Sequence, residues 1–124
     1  MKRALLLVPA LLAPTASPAL AQSHCFSIIQ LNGWRAPDAK TIYIRVDQTR
    51  YYRLDLGAAC PTLTEGGAHL ITKTTGSDQI CSSVDWDLAV SHDTMGSLAS
   101  HCIVKAMTPL SQAEADAIPK KFKP

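Results

Sequence analysis

Between Thr41 and Leu56 the chain reads T-I-Y-I-R-V-D-Q-T-R-Y-Y-R-L-D-L, and polarity alternates along it with a period of two. Ile42, Ile44 and Val46 are interleaved with Thr41, Tyr43 and Arg45, and Tyr52, Leu54 and Leu56 with Tyr51, Arg53 and Asp55. Successive side chains of a strand point to opposite faces, so this pattern calls for a half-buried antiparallel hairpin with one apolar and one decorated face. Cross-strand partners must share a face. Placing Val46 opposite Tyr52 sets Ile44 against Leu54 and Ile42 against Leu56, and brings Arg45 opposite Arg53 on the polar side. Like charges so placed cost roughly a few tenths of a kcal/mol. An offset is expected from Asp55, from Tyr51 under a guanidinium, or from an anion outside the chain.

The first 21 residues read differently from the rest. Met1-Lys2-Arg3 is a positive start, Ala4 to Ala13 an apolar core and Ala19-Leu20-Ala21 a small-residue cleavage site, which together make a secretory signal peptide cut after Ala21. The apolar run is too short, and too interrupted by Pro9 and Pro14, to span a bilayer. Cys25 lies four residues beyond the cut, which argues against lipid attachment of the bacterial lipoprotein type. The expectation is a periplasmic or secreted chain beginning at Gln22, with no transmembrane segment, a β domain over residues 22–110 and a helix with a basic tail over 111–124. Of 12 basic and 10 acidic residues, Lys2 and Arg3 leave with the leader, so the mature charges balance. That balance gives no electrostatic case for a nucleic-acid partner. The remaining length suits one core and is too short for two domains.

Cys25, Cys60, Cys81 and Cys102 make an even set in a small exported chain and read as two disulfides. No C-x-x-C is present, which argues against a thiol oxidoreductase or a zinc ribbon. Of the three pairings, the nested one is expected. Cys60–Cys81 would clamp the segment between two central strands, and Cys25–Cys102 would tie the first strand to the last.

Further strands are expected over Cys25 to Trp34, where adjacent Ile28 and Ile29 suggest a bulge, and over Ala68 to Thr74, Gln79 to Ser83, Asp85 to Val90 and His101 to Met107. Ala36 to Ala39 reads as the turn into the central hairpin. Trp86, Leu88 and Val90 should face inward and Asp87 and Ala89 outward, while Val104 and Met107 should lie on opposite sides of the last strand. Short strands between Gly, Pro and Asp turns predict an all-β, mainly antiparallel fold, a small barrel or sandwich. One helix is expected near the end. Ser111 would cap it with Glu114 three residues on, Leu110 would staple to Ala115, and Pro119 would stop it. Lys120 to Pro124 reads as a solvated basic tail, with membrane phosphates or another acidic partner as its functional alternative.

Several motifs could carry chemistry. Ser91-His92-Asp93 holds the residue types of a hydrolase triad, but three consecutive residues on an extended loop diverge, and no G-x-S-x-G elbow accompanies them. Asp85 and Asp87 share a strand face by spacing, which reads as a solvated face rather than an acid–base pair or a calcium site. His24-Cys25 and His101-Cys102 would bring two imidazoles together if those cysteines were joined, leaving too few ligands for zinc. Cleavage after Ala21 would leave Gln22-Ser23-His24, where the amine, two amides and the His24 imidazole could surround copper or nickel unless Gln22 cyclises. The best binding surface is the outer hairpin face, where Tyr43, Arg45, Tyr51 and Arg53 interleave rings and guanidinium groups that can stack on sugars or bases and bind phosphate or carboxylate. Its plainer reading is that tyrosines suit strands and arginines keep them soluble.

Taken in order, C-F, G-W, P-D-A-K-T-I-Y-I-R-V, Y-Y-R-L-D-L, A-A-C-P-T-L, D-Q-I-C and H-C-I-V resemble a family of small exported bacterial domains of unknown function, over roughly Cys25 to Met107. The four cysteines in their local contexts and the hairpin are its most specific marks. The resemblance implies a cell-envelope location in a Gram-negative-like bacterium and assigns no catalytic residue. The functional expectation is a binding or interaction module without catalysis or cofactor, facing an envelope protein or anionic envelope component. A small enzyme or enzyme inhibitor is the alternative, and metal handling through His24 the second.

Overall fold

The computed structural model describes residues 24–74, 76–93 and 98–124. The leader expected over residues 1–21 lies outside them, as do Gln22 and Ser23. Among the described residues nine strands run in chain order: β1 (Phe26–Ser27), β2 (Leu31–Asp38), β3 (Thr41–Val46), β4 (Arg50–Leu56), β5 (His69–Thr74), β6 (Gln79–Ile80), β7 (Trp86–Ser91), β8 (Ser100–Cys102) and β9 (Val104–Leu110). A single α-helix among the described residues, α1 (Gln112–Asp116), follows. The all-β architecture is the one the alternation implies. A four-stranded antiparallel sheet, β2-β3-β4-β9, faces a three-stranded one, β5-β7-β8, with the small β1-β6 pair beside them.

The core lies between these sheets. Ile42, Ile44, Val46, Tyr52, Leu54 and Leu56 from the hairpin meet Phe26, Ile80, Trp86, Leu88 and Val90 from the other strands. The Phe26 ring centroid lies 5.1 Å from that of Tyr52 and 6.2 Å from that of Trp86. The Tyr52 hydroxyl donates to the His24 carbonyl at 2.9 Å, giving the buried phenol a partner. Burial is the main influence raising its pKa, opposed by the neighbouring Arg50 charge.

The hairpin register differs from the expected one by two residues. Val46 pairs with Arg50, Ile44 with Tyr52, Ile42 with Leu54, and Arg45 with Tyr51 rather than Arg53. The cause is a tighter turn. Asp47 adopts a left-handed φ of 53°, which aspartate tolerates better than most residues. Its carboxylate accepts from Arg50 at 2.7 Å and from Gln30 Nε2 at 3.0 Å. A slip of two leaves every side chain on its own face, so burial is satisfied either way.

The first and last expected strands are each broken. A 3-10 turn over Ile28–Gln30 separates β1 from β2, where a bulge was expected, and β2 then runs on through Ala36 and Pro37 to Asp38, shortening the following turn. The last strand divides at exposed Ile103, so that β8 belongs to the three-stranded sheet and β9 to the four-stranded one. A bulge at Lys105 turns both Val104 and Met107 toward the hairpin's apolar face, opposite Leu56 and Leu54. Ala89, expected outside, is buried.

These breaks also overturn the nested disulfides. The bridges are Cys25–Cys81 and Cys60–Cys102, with Cα–Cα distances of 4.0 and 6.0 Å. Because β1 pairs with β6 through Phe26 and Ile80, Cys25 and Cys81 are the next residues along that ladder. Cys102 ends β8 beside the Gly57–Cys60 segment, where the Gly57 amide donates to the Ile103 carbonyl at 3.0 Å.

Candidate functional site

The outer face of the four-stranded sheet holds Tyr43, Arg45, Tyr51 and Arg53, all half-buried. Register places them in two rows across the strands. One runs Gly33, Arg45, Tyr51, Leu110, and the other Arg35, Tyr43, Arg53, Thr108. Rings and guanidinium groups therefore alternate both along and across the strands, and Tyr43 is flanked by Arg35 and Arg53. Arg35 is the member that sequence reasoning missed. It falls between the strand expected to end at Trp34 and the turn expected from Ala36, whereas β2 carries it past Trp34 into the sheet.

The charges on this face are unevenly answered. Arg53 pairs with Asp55 two residues along the same strand, at 3.2 Å. Arg35 donates to the Trp34 carbonyl at 2.8 Å and has no carboxylate partner among the described residues. Arg45 has none either, and its Nε is shut off from solvent without an acceptor. A buried donor left unsatisfied is uncommon and costs about 1–3 kcal/mol.

The C-terminal segment lies over this face: Ala115 and Ile118 are buried and Phe122 to Pro124 half-buried, while Lys120 and Lys121 stay exposed as expected. Ser111 caps α1, its hydroxyl accepting from the Glu114 amide at 3.1 Å while Glu114 Oε1 accepts from the Ser111 amide at 3.1 Å. These hydrogen bonds hold the Glu114 carboxyl below its ordinary pKa, with a smaller contribution from the Arg53 charge. Ala115 and Ile118 are buried, and Ile118, Ala117 and Glu114 border a hollow with Tyr43 and Arg53. Phe122 and Lys121 continue to a second cleft of about 420 Å³, which Trp34, Arg35 and Pro37 line from β2 and Leu63 and Glu65 from the facing loop. Lys123 then returns over the sheet, its ammonium 5.5 Å from the Tyr51 ring centroid and 3.2 Å from Asp116.

The other motifs are drawn into local structure. Ser91 is fully buried and its hydroxyl donates to Asp93 Oδ1 at 2.6 Å, whereas His92 turns to Glu65, so the three side chains do not converge. His69, opposite Ser91 in the sheet, binds the Asp93 backbone carbonyl. Asp85 lies in a 3-10 turn and accepts from the Cys81 and Ser82 amides at 2.8 and 2.9 Å, bonds that lower its pKa. Asp87 instead lies 3.7 Å from His101 Nδ1, so the two aspartates serve separate partners. With Cys25 and Cys102 in different bridges, the reason for His24 and His101 to meet disappears. Among the described residues no three His, Cys, Asp or Glu side chains are grouped to hold a metal, and no helix is long and apolar enough to cross a membrane. The amino-terminal metal arrangement depends on Gln22 and Ser23, which lie outside the described residues; His24 itself is exposed.

No curated protein and no solved structure matches the chain. The model of a family described as "Family of unknown function (DUF6491)" matches residues 4–122, nearly the whole sequence, and the chain belongs to that family.

Proposed function

We propose that the protein is an exported binding module of a bacterial envelope, periplasmic or secreted after cleavage at Ala21, and that it takes an anionic envelope component or partner on the outer face of its four-stranded sheet. Two disulfides favour an oxidising compartment, and the family match begins at residue 4, inside the apolar leader. The observation that carries the binding reading is Arg45, a guanidinium held between a glycine and a tyrosine with no carboxylate to answer it. Stability alone does not account for a charge placed there.

The test is capture from a periplasmic extract with the protein and its Arg45→Ala/Arg53→Ala variant. Anionic material retained by the first and lost by the second supports the reading; equal retention by both rules the face out. A small enzyme or inhibitor is the second reading, favoured by the cleft between Trp34 and Phe122. It requires turnover or inhibition that disappears with Trp34→Ala while Arg45→Ala/Arg53→Ala leaves it unchanged.

A further inference from the structure

We infer that Arg45, Tyr51 and Lys123 form a phosphate-binding subsite beneath the C-terminal tail, an inference that rests on the binding reading above and names its ligand class. Arg45 lies between Gly33 and Tyr51 in the sheet. The last two residues lie against those same two neighbours. A Cβ built on Gly33 would be 3.7 Å from the Pro124 Cβ, and the Lys123 ammonium stands over the Tyr51 ring. The tail thus touches both register neighbours of Arg45, and an ammonium stands over the ring of the tyrosine paired with it across the strands.

Of the side-chain carboxylates of this region, Asp55 is engaged with Arg53 and Glu114 with the helix cap, while Asp116 holds Lys123 itself at 3.2 Å, so a ligand would share Lys123 with Asp116. The Arg45 Nε is left a sealed donor without an acceptor. A guanidinium has five donors and no acceptor, so a ligand rich in acceptor oxygens suits it. An arginine fork takes one lone pair on each oxygen of a carboxylate and matches its single charge. A phosphate group has oxygens enough to take the fork and the lysine together, with charge to match both. Free phosphate and the headgroup of an anionic phospholipid share this chemistry.

The disulfide-intact protein, labelled with nitrogen-15, is titrated with inorganic phosphate at constant ionic strength while the arginine Nε–Hε signals are followed. A parallel arm measures co-sedimentation with phosphatidylcholine vesicles with and without phosphatidylglycerol. The expected result is a saturable shift of one Nε–Hε signal, assigned to Arg45 by its loss in Arg45→Lys. Lys123→Gln should weaken phosphate about tenfold, the scale of one charge-assisted hydrogen bond, and Lys73→Ala, which removes the same charge from the other sheet, should change nothing. Sedimentation that needs both phosphatidylglycerol and Arg45 gives the same support with a lipid as the source. Thermal melts of each variant separate loss of binding from loss of fold. No saturable shift together with no dependence of sedimentation on Arg45 overturns the subsite. If capture of envelope material still depends on Arg45 and Arg53 in that case, the binding face stands and only its phosphate chemistry falls.

Discussion

The two faces of one hairpin are built to different standards. On the inner face Ile42, Ile44, Val46 and Leu54 have no exposed surface, and Tyr52 and Leu56 have almost none. Among the described residues no buried side-chain nitrogen or oxygen of this layer lacks a partner, and the Tyr52 hydroxyl donates to the His24 carbonyl. On the outer face one arginine is paired, one is held only by a backbone carbonyl, and one has a donor left without an acceptor. The inner face is fixed by the free energy of removing apolar surface from water. The outer face carries a charge whose Nε has no acceptor among the described residues, a departure from local consistency of the kind the proposed binding role would explain.

That contrast can be broken or sharpened by substitution. The largest effect is expected inside: Leu54→Ala leaves a cavity between the sheets and should cost about 2–5 kcal/mol in urea unfolding. Removing the Cys60–Cys102 bridge by a double alanine change should cost a similar amount or slightly less, about 2–4 kcal/mol. Peptide mapping of the intact protein should recover Cys25 with Cys81 and Cys60 with Cys102; recovery of the nested pairs would contradict the strand breaks at Ile28 and Ile103. Ser111→Ala should cost about 1 kcal/mol by uncapping α1.

The Glu114 half of the same cap supplies a pH dependence. Its folded pKa is depressed by the Ser111 hydrogen bonds, so its contribution is present above the ordinary glutamate pKa and fades as pH falls through the lower folded value. Helix amides followed by NMR should show α1 loosening in acid, and Glu114→Gln should remove that titration. The smallest effect on stability is expected at the centre of the outer face. Arg45→Met should leave the unfolding free energy within about 0.5 kcal/mol of wild type, or raise it, since an apolar chain of similar length needs no acceptor.

Much of the inner face was legible because alternation fixes which way each residue points, and parity survives a register slip of two. For the same reason the slip itself was not legible: Asp47 in its left-handed turn, bound by Gln30 and Arg50, decides it, and those partners come together only in the fold. The disulfide pairing was hidden by strands of two or three residues, β1, β6 and β8, too short to show a period. Tyr43, Arg45, Tyr51 and Arg53 could be named as one surface from spacing alone. Arg35 could not, because the 3-10 turn before β2 resets the alternation. Nor did the tail's charge disclose that Ile118, Phe122 and Lys123 lay it back across the sheet.

The comparison comes to a single point at Arg45, which the proposed function keeps for contact rather than for folding. Urea unfolding of the wild type and of Arg45→Met, each with and without inorganic phosphate, puts both halves of that statement into one measurement, because a ligand that binds only the folded state raises its stability. A variant no less stable than the wild type without phosphate, and a gain with phosphate in the wild type alone, are the outcome expected. A variant that unfolds several kcal/mol more easily, or that gains as much from phosphate as the wild type does, would contradict it.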